Sequence, residues 1–316
     1  MLDLDTYYAE LPWLIEQRTQ FEQLVSSGRW PHALLLHGPA GTGRRQLALW
    51  FIESLLDCDL RDAAVDAEAE QDIHPDLLVV EPEADKKAIG IEQIRELIEF
   101  MQLTSHQGGA RSAVIYPAEH MTISAANSLL KTLEEPPENV ALVLLCESIN
   151  RLPATVISRC QRSRLAAPPA EAGLKWLAGQ VDSPDLEAIL DFTGGAPLAA
   201  LDLCQKDFPT LARGFNSDLD DLSRRRVDPV TIAARWAKQG DLALRWLYCF
   251  IAGRLREELA SGSTETAQSG QIGRYFRQLD KIRELRRFIG GGVSAELGLT
   301  DLLMEWYGDV GHNREI

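Results

Sequence analysis

The residues that could do chemistry begin at Gly38-Pro39-Ala40-Gly41-Thr42-Gly43-Arg44-Arg45. Their spacing is that of a phosphate-binding P-loop, G-x-x-x-x-G-K-[ST]. In a working loop the glycines let backbone N–H groups converge on an anion, the lysine reaches the β/γ-phosphates, and the hydroxyl holds Mg²⁺. Here Gly38, Gly41 and Gly43 are in place, but Arg44 stands at the lysine position and Arg45 at the hydroxyl position. The site has the frame of an ATP site and lacks its metal ligand. ATP hydrolysis also needs a carboxylate at the end of a neighbouring strand to hold Mg²⁺, and an adjacent Glu to polarise the attacking water. The candidate strand, Ala113 to Tyr116, runs instead into Pro117 and Ala118. Glu119 and His120 come later, and His120 reads as a surface or helix-start residue rather than a catalyst. Two lost metal ligands together point to a site that does not hydrolyse. A glycine-rich turn can also be purely structural, and Arg44 and Arg45 could attract an adventitious anion at the helix N-terminus.

The loop needs a strand before it and a helix after it. The apolar run Ala33 to Leu36 supplies the first, and the pattern Leu47, Phe51, Leu55 supplies the second. Ahead of them, Pro12-Trp13 opens a helix with Ile15, Phe21, Leu24 and Val25 as its apolar stripe, ending at Gly28. From Asp57 to Asp76 the chain turns acidic and Ala-rich, which reads as a surface excursion. Leu77 to Val80, Ala113 to Tyr116 and Val140 to Cys146 are expected strands. Ile91 to Leu103 and Ser124 to Leu133 are expected helices, the second stopped by Glu134-Glu135-Pro136-Pro137. Leu152 to Arg159 reads as a short helix or turn. Alternating strands and helices, with strands of nearly continuous apolar character, predict an α/β domain with a parallel sheet over residues 1–167.

After Pro168-Pro169 helical periodicity takes over. Ala172 to Gln180, Pro184 to Phe192 and Pro197 to Cys204 predict a small helical domain over 168–208. A break, roughly Phe208 to Asp221, leads into an all-α region over 209–316. Its expected helices are Val230 to Leu259, Ile272 to Ile289 and Leu297 to Tyr307, with Ser261 to Gly270 as a polar loop.

Composition narrows the function. The net charge of −15 argues against a protein that holds DNA alone, which would carry a basic footprint. The five cysteines are scattered and form no C-x-x-C, so reduced thiols are expected and a zinc site is not. No apolar run approaches the roughly 20 residues of a membrane span. The acidic start, Met1-Leu2-Asp3-Leu4-Asp5, has no leader pattern, and a cytoplasmic location is expected.

Two stretches carry a family resemblance. Asn127-Ser128-Leu129-Leu130-Lys131-Thr132-Leu133-Glu134-Glu135-Pro136-Pro137 resembles the signature of the clamp-loader branch of the AAA+ ATPases, and Ser158-Arg159-Cys160 that branch's S-R-C motif. The lead-in Arg29 to Leu36 is also similar to the bacterial DNA polymerase III clamp-loader subunits. The resemblance covers residues 12–200 and implies an AAA+-type P-loop domain, a small helical lid and an all-α C-terminal collar that joins subunits. It further implies that Pro197 sits where hydrolysing relatives carry their sensor-2 arginine, in the turn Gly194-Gly195-Ala196-Pro197. Many relatives carry a four-cysteine zinc module between the P-loop helix and the His-Pro-Asp stretch, where this chain has only Cys58.

The implied role is a catalytically silent subunit, without cofactor or metal, in a hetero-oligomeric pentamer with the γ/τ and δ subunits. Arg159 would act in trans as an arginine finger on a neighbouring γ/τ ATP site. The sliding clamp would be an indirect partner, and primer-template DNA would be met through the complex. The alternative for Arg159 is a pair with a local carboxylate. Cys160 reads as a small buried residue. Lys131 either faces DNA in the ring's channel or is a solvated helix charge. Two enzymatic alternatives stay open: an active γ/τ-type ATPase and a P-loop nucleotide kinase. The kinase reading leaves the S-R-C motif and the helical tail unexplained.

Overall fold

A computed structural model describes residues 10–60, 74–84, 86–106, 109–183, 185–206, 208–260, 266–288 and 294–312. The chain divides into two compact units, Met1–Leu203 and Cys204–Ile316.

The first unit opens with a 3-10 turn at Pro12–Leu14 and helix α1, Ile15–Ser26. Phe21 of α1 is buried, whereas Ile15 is exposed, against the expectation that it joined the apolar stripe. Strand β1, Ala33–His37, passes through the glycine turn into α2, Arg44–Leu56. Then come β2, Leu77–Val80, α3, Ile91–Gln102, β3, Arg111–Ile115, α4, Ile123–Glu134, and β4, Val140–Cys146. A short helix α5, Ala154–Ile157, precedes β5, Gln161–Arg164. The sheet has the order β2-β3-β4-β1-β5, and every pairing is parallel. Both faces are covered, so β1 and β4 read as unbroken apolar runs whose members are buried. The acidic excursion falls largely on residues 61–73, outside the described residues.

Strand β5 escapes the sequence pattern. Gln161-Arg162-Ser163-Arg164 carries no apolar residue, and three of the four are exposed. It is a strand because its backbone pairs with β1 at the sheet edge, where a polar sequence costs nothing. Strand β3 starts at Arg111, two residues before its apolar run. Arg111 is buried by an ion pair with Asp76 at 2.9 Å, and its guanidinium lies 4.4 Å from the Phe100 ring centroid. Asp76 also accepts from the His106 N–H at 2.9 Å, so the His74-Pro75-Asp76 stretch anchors the entry to β2.

The unit ends with α6, Ala170–Ala178, α7, Leu186–Phe192, and α8, Pro197–Gln205. The second unit is helical: α9, Phe208–Ser223, α10, Pro229–Trp236, α11, Gly240–Ala260, α12, Thr266–Phe288, and α13, Ala295–His312. Two sequence expectations are corrected here. Phe208 to Asp221 is a helix rather than a break. Phe208, Leu211, Phe215, Leu219 and Leu222 recur at three- and four-residue spacing, and all but Leu211 are buried. The expected polar loop at Ser261 to Gly270 is already helical from Thr266. The core of this unit is aromatic. Phe215 meets Trp236 at 5.0 Å and Trp246 at 5.3 Å between ring centroids. Asp218 of α9 accepts from the Trp236 indole at 2.8 Å and pairs with Arg235, which satisfies a carboxylate inside that core.

Candidate functional site: a closed P-loop and a surface arginine

The glycines of the loop are required by its geometry. Gly41 and Gly43 have φ of 76° and 98°, in the left-handed region that side chains rarely adopt. A Cβ on Gly41 would lie 2.5 Å from the backbone nitrogen of Ala199 on α8. The Leu198 N–H donates to the Gly41 carbonyl at 3.1 Å, so α8 docks directly on the loop. Pro197 is buried as the first residue of that helix. The other side is also filled. Leu11 and Leu14 close on Gly43, Trp13 donates its indole N–H to the Thr42 carbonyl at 2.9 Å, and Trp13 and Trp176 meet edge to face at 5.4 Å.

The two arginines are engaged within the chain. Arg44 is buried, and its nearest carboxylate is Glu147 at 3.6 Å, just past the end of β4. Its Nη1 is buried without a hydrogen-bond partner. Arg45 lies 4.0 Å from the ring centroid of Tyr116, a cation–π contact at the end of β3. Pro117 follows through a cis peptide bond and Ala118 is fully buried. Glu119 is the carboxylate that sequence spacing did not place. Its Oε1 accepts from the Glu147 N–H at 2.8 Å, tying the end of β3 to the end of β4. Its other oxygen, Oε2, is buried without a hydrogen-bond partner. His120 is exposed in a 3-10 turn, as expected. His37, at the mouth of the loop, titrates below its ordinary range. Burial disfavours the imidazolium, and the charges of Arg164, Arg162 and Arg44 add to the effect. Positive charge is thus gathered here, and the Arg45 position offers no metal-ligating oxygen.

The second site is built from the two motifs that the sequence separates. Helix α4 is capped by the Thr122 side chain and ends at Glu134, ahead of the tandem prolines. The α5 turn places Arg159 beside that end. Arg159 donates from Nε at 2.8 Å, and again from Nη2, to the single oxygen Oε1 of Glu134. Its Nη1 donates to the Thr155 carbonyl at 2.8 Å and to the Ser158 hydroxyl at 3.2 Å. The Arg159 side chain remains 33% exposed. Ser158 is exposed, and its hydroxyl donates to the Thr155 carbonyl at 3.1 Å. Cys160 is half-buried and packs against the core beneath the sheet, with its thiol pushed up to about 11 by burial. Sequence reading foresaw a local carboxylate as one alternative for Arg159 without naming Glu134. The residue's place in the other motif was the available signal. Lys131 is exposed on the last turn of α4. Among the described residues no group of three His, Cys, Asp or Glu converges to hold a metal. No helix among them is long and apolar enough to cross a membrane.

A P-loop after β1, in a parallel sheet ordered β2-β3-β4-β1-β5 and followed by a helical segment, defines the AAA+ class of P-loop proteins. A gamma subunit-related protein of DNA polymerase III from Thermotoga maritima superposes with a TM-score of 0.53, at 18% identity, over 93% of this chain and 99% of its own. Within that class, the relatives that match at 36–40% identity over most of the chain are of one subunit type. The family described as DNA polymerase III, delta subunit, matches residues 15–169. The DNA polymerase III subunit delta′ of Pseudomonas aeruginosa is 40% identical over 93% of this chain and 89% of its own length. That of Escherichia coli K12 is 36% identical, over 93% and 94%. The chain belongs to the family of DNA polymerase III delta′ subunits.

Proposed function

We propose that this chain is the catalytically silent member of a ring-like pentamer and lends Arg159 in trans to the ATP site of a neighbouring γ/τ subunit. The observation that carries the reading is the contrast between two kinds of arginine. Arg44 is buried and Arg45 is stacked on Tyr116, and a guanidinium, always charged and without an acceptor atom, is no metal ligand. Arg159 presents a guanidinium at the surface, held at its base by the Thr155 carbonyl. A planar cation that is always charged can stabilise the charge developing on a transferring γ-phosphoryl group. Loss of the metal ligands leaves the chain without its own ATPase activity. Helices α6 to α8 act as the lid over 168–208, and residues 209–316 form the collar that joins it to the ring. In that place it helps the δ subunit open the sliding clamp and set it on primer-template DNA. ATP bound elsewhere drives the work, and coupling passes through subunit interfaces.

The direct test has two parts. Calorimetric titration of ATP into the isolated chain, with and without Mg²⁺, is expected to show no Mg²⁺-dependent binding. Tight Mg²⁺-dependent binding would instead make it an ATP-responsive subunit. Arg159→Ala, reconstituted with γ/τ and δ, is expected to lose hydrolysis at one neighbouring site while the assembly forms normally. Unchanged single-turnover hydrolysis would remove the finger role.

A further inference from the structure

We infer that Glu134 is the stand-in anion of Arg159: it holds the guanidinium in the free subunit, and the neighbour's ATP γ-phosphate takes its place in the assembled ring. The inference rests on the reading of Arg159 as a finger and adds to it a specific exchange partner.

The contacts divide the guanidinium into two edges. Nη1 is engaged by the Thr155 carbonyl and the Ser158 hydroxyl, both belonging to the same turn as Arg159. Nε and Nη2 point away from that turn, and both donate to Oε1 of Glu134, 25 residues earlier in the chain. The first edge is a local mount that survives any change at α4. The second edge is the side-on face with which arginine takes an oxyanion. A carboxylate oxygen and a phosphate oxygen use the same two donors, so they compete for them. If Glu134 kept its place beside a bound nucleotide, two anions would crowd one cation, and the carboxylate would repel the phosphate.

Exposure sets the size of the effect. The two side chains are 33% and 51% exposed, so the pair is weak and readily exchanged. A buried pair would lock the arginine, whereas one in water can hand it over. The location suits exchange as well. Glu134 is the last residue of α4, and the chain turns away at Pro136-Pro137, so its side chain can withdraw without disturbing the helix. Glu134 is thus a positioning residue: it orients Arg159 in the free chain and opposes the ATP-engaged state. Only the neighbour's nucleotide, not the ring contact alone, compensates for its loss.

The experiment uses the full loader reconstituted with γ/τ and δ, carrying Glu134→Gln, Glu138→Gln, Arg159→Ala or Glu134→Gln with Arg159→Ala. Glu138 is an exposed carboxylate just beyond the same helix and controls for loss of surface charge. Equilibrium binding of a non-hydrolysable ATP analogue is read at the neighbouring site. Glu134→Gln is expected to tighten it about two- to fivefold, the range of an exposed ion pair. Glu138→Gln should leave it unchanged, and the Glu134→Gln gain should vanish in the Arg159→Ala background. In the free chain, Glu134→Gln should speed hydrogen exchange of the Arg159 Nε–H. If Arg159→Ala weakens the site but Glu134→Gln leaves affinity unchanged or lowers it, the exchange is wrong and the finger stands. If Arg159→Ala itself has no effect on binding or hydrolysis, the finger reading falls and the exchange with it. Equal gains from Glu134→Gln and Glu138→Gln would reduce the effect to general electrostatics and overturn the inference.

Discussion

The glycine loop and the S-R-C turn hold arginines in opposite ways. At the loop, Arg44 is buried beside a carboxylate 3.6 Å away, and Arg45 rests on an aromatic face. At the turn, Arg159 sits at the surface with one carboxylate and two oxygens of its own turn. The loop is packed on both sides: α8 docks on Gly41, and the leucines of the N-terminal segment close on Gly43. The turn keeps its cation available. Arg44 is buried, whereas Arg45 and Arg159 are both half-buried and differ in partner, an aromatic face for the one and a carboxylate for the other.

The comparison breaks most sharply at Arg159. Its replacement by Ala is expected to slow hydrolysis at the site it serves by on the order of 10³-fold or more, the range of arginine fingers acting in trans. Single-turnover ATP hydrolysis by the reconstituted loader reads this directly. An unaltered rate would put the two regions on the same footing.

The loop's side of the contrast is structural, so its variants should affect stability rather than rate. Gly41→Ala forces a Cβ against the α8 backbone at a positive φ, and is expected to cost about 2–4 kcal/mol in urea unfolding. Arg44→Lys combined with Arg45→Thr restores the side chains of a working loop without a carboxylate at Pro117 or Ala118. No Mg²⁺-dependent hydrolysis should appear in the isolated variant, and measurable turnover would show that the loop is closed by chemistry alone.

Smaller effects sharpen the difference. The thiols of Cys160 and Cys146 are pushed up to about 11 and about 12, chiefly by burial. Near pH 8 their alkylation should run at least about 10-fold slower than in the unfolded chain, because the thiolate is the nucleophile. The sign of the linkage follows: the stability these thiols contribute is complete below pH 9 and falls as pH rises through their folded values. Fast labelling of Cys160 would mean that the residue beside Arg159 is exposed rather than half-buried. The smallest effect lies at His37. Its pKa is lowered by burial and then by Arg164, Arg162 and Arg44, so its contribution is present above pH 6.5 and is lost as pH falls through the folded value. Arg44→Gln should move the His37 titration, followed by NMR, back toward 6.5. A titration that does not move would place the Arg44 charge elsewhere.

Much of this is legible in the amino-acid sequence. Apolar runs located β1, β2, β3 and β4 because strands buried on both faces must be apolar. Strand β5 was not legible, since an edge strand is made by its neighbour's backbone and needs no apolar pattern. Helix α9 is legible in the regular spacing of Phe208, Leu211, Phe215, Leu219 and Leu222. Pro209 is harmless at the second position of the helix, where a missing N–H leaves no bond unmade.

What the sequence by itself determined is chemical inventory and local order. It determined that Arg44 and Arg45 replace the phosphate lysine and the metal hydroxyl, that Pro117 and Ala118 supply no carboxylate, and that Arg159 stands in an S-R-C motif. Tertiary structure alone decided which groups meet. It brought Arg45 over Tyr116, Glu119 to the Glu147 backbone, α8 onto Gly41 and Glu134 to Arg159. These pairs lie far apart in the chain, and no periodicity records them. Sheet order and helix ends set such distances, and both arise only when the whole core closes.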